Sequence, residues 1–99
     1  MELGISGIEK NNIINIMRSL GYISRERSGE EFSFIRPFGR SGYPRFHIFI
    51  RFDRGKKAIF NLHLDQKKPI YSGSRAHSAE YDGFLVEEEM DRIKKHISS

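Results

Sequence analysis

Cysteine and tryptophan are both missing from this chain, and only three of its 99 residues are proline. Without cysteine there can be no disulfide, no thiolate nucleophile and no thiolate ligand for a metal. No hydrophobic run approaches the roughly 18 residues that a membrane span needs. Met1 to Ile8 also lacks the basic start and apolar core of a secretory signal. These absences predict a cytoplasmic protein without a membrane partner. The length suits a single domain, residues 1–99.

Phenylalanine is abundant, at eight residues. Large rings let a small core bury much area per residue. Ser6 and Glu9 have capping-box spacing, Ile8, Ile13, Ile16, Met17 and Leu20 recur near the helical period, and Gly21 is a natural terminator. The spacing predicts a helix over 7–20. Residues 32–36, 45–52 and 57–65 read as strands. In the second, Phe46, Ile48, Ile50 and Phe52 share one face, while Arg45, His47, Phe49 and Arg51 share the other. Residues 66–82 carry no clear period and read as a long surface loop. Asp82 is placed to cap a last helix, whose inward stripe is Val86, Met90, Ile93 and Ile97. Glu87, Glu88 and Glu89 suit its positive N-terminal end. The expected fold is α+β: a three-stranded antiparallel meander in α-β-β-β-α order, with both helices on one face.

The turn between the second and third strands fixes their register. A two-residue loop would set the apolar face of one strand against the polar face of the other. A three-residue loop at Arg54-Gly55-Lys56 pairs Ile50 with Phe60 and Ile48 with Leu62, so the apolar faces coincide. His47 then falls opposite His63, Arg45 opposite Asp65, and Phe49 opposite Asn61 on the outward face. Directly opposed residues have Cβ atoms about 4.5–5.5 Å apart, so two separate histidines become one candidate site. Such a pair suits acid–base catalysis. Together with Asp65 it also suits a zinc-like ion, and paired polar residues on a strand face are equally an ordinary structural cluster. His77 and Glu80, in the long loop, could fold back to complete a site. The candidate catalytic set is His47, His63, Asp65 and His77. The sequence calls for no cofactor.

Charge is unevenly distributed. Ten of the 17 basic residues but only two of the 13 acidic ones lie between Arg36 and Arg75, so that stretch carries +8 and the remainder −4. A basic stretch with aromatic residues fits phosphate contact and base stacking. The nucleic-acid-binding candidates are Arg40, Tyr43, Arg45, Phe49, Arg51, Arg54, Lys56, Lys57, Lys67, Lys68 and Arg75. Nothing reads as a DNA recognition helix, so RNA is the preferred polymer.

The element order, with Leu20-Gly21-Tyr22 closing the first helix and His47 near the start of the second strand, resembles the double-stranded RNA-binding-domain-like fold of HicA-type mRNA interferase toxins. The resemblance is mainly architectural. It implies a ribonuclease with His47 as its catalytic histidine. The expected function is thus an RNA-interacting domain using sheet-face histidines for RNA cleavage. The alternatives are a protein-interaction or regulatory module, including a homodimer, and a metal-dependent hydrolase built on His47, His63 and Asp65 or His77.

Overall fold

In a computed structural model the chain runs from β1 (Glu2–Ile5) through a 3-10 turn (Lys10–Asn12) into α1 (Ile13–Ser19). Next come β2 (Ile23–Ser24), β3 (Phe32–Pro37), β4 (Arg45–Phe52), β5 (Ala58–Asp65), β6 (Ala79–Glu80) and α2 (Phe84–Ser98). The structure describes residues 1–26, 29–38, 40–54, 57–66, 79–80 and 83–98. The sheet has the antiparallel order β1-β5-β4-β3-β2, and β6 pairs with β5.

The β4–β5 hairpin adopts the expected register, with Ile50 opposite Phe60, Ile48 opposite Leu62 and His47 opposite His63. Its turn is closed by Asp53 N–H donating to the Lys57 carbonyl at 3.0 Å and Lys57 N–H donating to Asp53 Oδ1 at 3.0 Å. Phe34, Ile48, Ile50, Phe60 and Leu62 are fully buried on one sheet face, with Ile13 and Met17 of α1 and Val86 and Ile93 of α2 in the same core.

The three-stranded expectation is overturned. β1 adds to β5, with Leu3 opposite Phe60 and Ile5 opposite Ala58, and β2 adds to β3, with Ile23 opposite Ile35. A four-residue and a two-residue strand have too little alternation to register as strands. They form because β5 and β3, on either side of β4, each offer an unpaired edge. With five strands along the main path, the fold is not the three-stranded architecture of double-stranded RNA-binding domains or HicA-type toxins. The ribonuclease role that the resemblance attached to His47 falls with it. The first helix is also shorter than 7–20. Gly7, at φ +84°, turns the chain after β1, and the expected cap at Ser6 and Glu9 does not form. Within residues 66–82, Ala79–Glu80 is a strand; most of the rest, including the Asp82 cap, lies outside the described residues. Among the described residues no helix is long and apolar enough to cross a membrane.

α1 ends as its sequence predicts. Gly21 takes φ +93°, its N–H donates to the Arg18 carbonyl at 2.9 Å, and Tyr22 N–H donates to the Met17 carbonyl at 2.9 Å. This is the Schellman closure of a helix C-terminus. A side chain at Gly21 meets two penalties: the left-handed backbone, and a Cβ only 3.2 Å from Arg36 Cδ. Gly21→Ala is expected to lower stability by about 1–2 kcal/mol, read as a shift in the urea midpoint. An unchanged midpoint would refute the left-handed assignment.

Glu89 departs from its expected role. Instead of lying exposed beside Glu87 and Glu88, it is buried at 3% exposure, because it shares the inward face of α2 with Val86, Met90 and Ile93. Tyr22 Oη donates to its Oε2 at 2.6 Å. Arg36 donates through Nε and Nη2 at 3.2 and 3.0 Å, and Arg92 through Nε and Nη2 at 2.8 and 2.9 Å. Arg92 Nη2 also reaches the Leu20 carbonyl at 2.7 Å. Burial alone would raise the Glu89 pKa, but the hydrogen bonds from Arg92, Arg36 and Tyr22 outweigh it and hold the pKa below the usual carboxylate value. Burial, then the charge of Glu89, drives the Tyr22 pKa upward. The network ties α2 to the end of α1 and to β3.

Candidate metal centre

Strand parity sends Ser33 of β3, His47 of β4, and His63 and Asp65 of β5 to the sheet face opposite the helices. That face is less open than the sequence suggested. His63 is only 7% exposed. It packs among rings, with His47 at 5.0 Å and Phe49 at 5.8 Å between centroids, while His47 and Phe49 are 4.3 Å apart.

Asp65 joins the two imidazoles. Its Oδ1 lies 3.1 Å from His63 Nε2 and its Oδ2 lies 3.4 Å from His47 Nδ1. Arg45 Nε donates to the same Oδ2 at 3.1 Å, and the Arg45 guanidinium lies 4.4 Å above the Tyr43 ring. On the far side of the His47 ring, Nε2 is 2.8 Å from Ser33 Oγ. One ligand atom from each of His47, His63 and Asp65 lies within 4.8 Å of the others. Two ligands bound about 2.0–2.1 Å from one tetrahedral ion are themselves about 3.3–3.4 Å apart. The 3.1 Å between His63 Nε2 and Asp65 Oδ1 is already close to that figure, while the His47 separation is to the other oxygen, Oδ2.

The imidazoles are held neutral. Burial, followed by the like charge of His63, lowers the His47 pKa to about 4 against the opposing pull of Asp65. Burial also lowers the His63 pKa. An unprotonated ring is the form a metal requires.

Ser33, His47 and Asp65 also have the connectivity of a nucleophilic serine relay. Two observations weigh against that chemistry. A base with a pKa near 4 has little drive to take a hydroxyl proton at neutral pH. The carboxylate oxygen that would steady His47 is shared with Arg45.

The expected site residues therefore divide. His47, His63 and Asp65 form one cluster, with Arg45, Tyr43 and Phe49 around it. Arg51 is on the same face but pairs with Glu2 of β1 at 3.6 Å. Arg54 and Lys57 lie at the hairpin turn, at the opposite end of β4 from Arg45, and Arg40 is exposed in the β3–β4 connection. His77, Lys56, Lys67, Lys68 and Arg75 lie outside the described residues. Ser33 escaped the sequence reading. Its strand was recognised, but the Pro- and Gly-containing link from Pro37 to Pro44 left the β3–β4 register open.

Comparisons with known protein families, curated proteins and solved structures find no match. The chemistry of the site rests on the residues themselves.

Proposed function

We propose that this protein is a metal-binding domain whose His47, His63 and Asp65 hold one divalent transition-metal ion of the zinc type. The observation that carries this reading is the convergence of two imidazole nitrogens and a carboxylate within 4.8 Å. Three protein ligands leave a coordination position open for water or substrate, the pattern of hydrolytic rather than purely structural zinc sites. An ion there would acidify bound water and polarise an ester or phosphoryl oxygen. The surroundings support the assignment. With a metal on Nδ1 of His47, the opposite Nε2 carries the proton and donates to Ser33 Oγ, fixing tautomer and ring angle. Arg45 holds one oxygen of Asp65 and leaves the other to the ion. The charge of the 36–75 stretch supports an RNA ligand less directly: Arg36, Arg45 and Arg51 are paired with acids, Arg40, Arg54 and Lys57 are split between the β3–β4 connection and the hairpin turn, and Lys56, Lys67, Lys68 and Arg75 lie outside the described residues. The metal reading therefore takes precedence.

Titration with zinc, followed by calorimetry and by metal analysis after gel filtration, tests the proposal. The wild-type chain is expected to retain one equivalent at micromolar concentration, and His63→Ala and Asp65→Ala to lose it. A folded wild-type protein that retains no zinc would overturn the reading.

A further inference from the structure

Without an ion, the charges of Asp65 and Arg45 cancel across their 3.1 Å contact. A divalent ion on two neutral imidazoles and Asp65 leaves two positive charges uncompensated. The place is poorly solvated, since the side chains of Arg45 and Asp65 are 20% and 19% exposed. Uncompensated charge there is strongly unfavourable. Glu2, on the same face of the sheet, is already paired with Arg51. Arg45 is meanwhile only half used. It spends Nε on Asp65, and among the described residues its two Nη groups have no hydrogen-bond partner. Stacking on Tyr43 holds the guanidinium plane in place. A fixed guanidinium with vacant donors is a receptor for an oxyanion.

We propose that the loaded centre takes a phosphate dianion, the group borne by a phosphate monoester, held jointly by the ion and by Arg45. A dianion matches the two uncompensated charges, which a carboxylate does not. The proposal rests on the metal reading above and names the substrate class of that site.

The experiment uses the cobalt(II)-loaded chain, whose visible absorption reports the coordination sphere, titrated with inorganic phosphate and separately with acetate. Phosphate is expected to change the spectrum saturably at concentrations at least about tenfold below those acetate needs. Arg45→Gln, titrated at a cobalt concentration shown to load it fully, is expected to weaken phosphate binding by roughly 10- to 100-fold, the worth of a charge-assisted hydrogen bond. Arg45→Lys keeps the charge without the fork and is expected to weaken it less. Should the glutamine variant fail to fold, the lysine variant decides: weaker phosphate binding supports the proposal and unchanged binding refutes it. If cobalt binds but phosphate is no better than acetate, or Arg45→Gln binds phosphate like the wild type, the anion proposal fails alone. If the wild-type chain takes up no cobalt, the metal reading fails and the anion proposal with it.

Discussion

Glu89→Ala is expected to destabilise the protein by about 3–5 kcal/mol, the range for removing one partner of a buried, hydrogen-bonded ion pair. That is a large share of the roughly 5–15 kcal/mol of a typical domain. The loss has two parts. The carboxylate's own hydrogen bonds disappear, and Tyr22, Arg36 and Arg92 lose the acceptor at which they converge. Arg36 suffers in particular, because its guanidinium is held near the Phe46 ring, at 5.3 Å, with limited access to water. Glu89→Gln retains an acceptor but not the charge and is expected to fall between alanine and wild type. Glu88→Ala, one residue earlier and exposed, should stay within about 0.5 kcal/mol. Urea unfolding of the three variants measures all of this. Equal, small losses for Glu88 and Glu89 would show that the network contributes no net stability.

The second large effect is with acid. In the metal-free protein the His47 pKa lies at about 4, below the ordinary 6.5. Between those values the unfolded chain takes up a proton that the folded chain refuses. Stability is therefore fully present above pH 6.5 and falls as pH drops toward 4. The loss is about 3 kcal/mol for a shift of this size. His63 is lowered as well and acts in the same direction. Glu89, whose pKa is lowered too, adds a later loss as pH falls below the carboxylate value of 4.5. Unfolding free energies measured from pH 7.5 to 4 are expected to slope downward toward acid. His47→Gln should flatten that slope. A wild-type protein equally stable at pH 7 and 4.5 would contradict the burial of these rings.

The hairpin register was readable because two periodic signals had to agree: strand alternation and turn length admit a single parity, and Ile50 cannot face Phe60 in any other. The His47–His63 pairing followed from it. Gly21 was readable because a helix stop is local chemistry. β1 and β2 were not, because what makes them strands is a partner edge elsewhere in the chain; Leu3 and Ile5 alone carry two apolar positions. Their omission also lent the helix–strand–strand–strand–helix order its likeness to RNA-binding folds. Glu89 was hidden among three consecutive glutamates, although its spacing from Val86 and Ile93 put it on the inward stripe. Asp65 was placed correctly opposite Arg45, but its contact with both imidazoles depends on side-chain reach across two strands.

One edge of the sheet is completed by β1. Met1 and Leu62 exchange hydrogen bonds of 2.9 and 2.8 Å across a separation of 61 residues. At about 5–20 residues per second of synthesis, β1 waits roughly 3–12 s for its partner strand to emerge. Closing so long a loop favours late pairing. Between the emergence of β5 and the docking of β1, the 58–61 stretch of the β5 edge is an open template for strand addition. β1 closes only that stretch: Asp65 of the candidate centre is paired instead with Ala79 of β6, so one edge of one strand is completed by segments that precede and follow it in the chain.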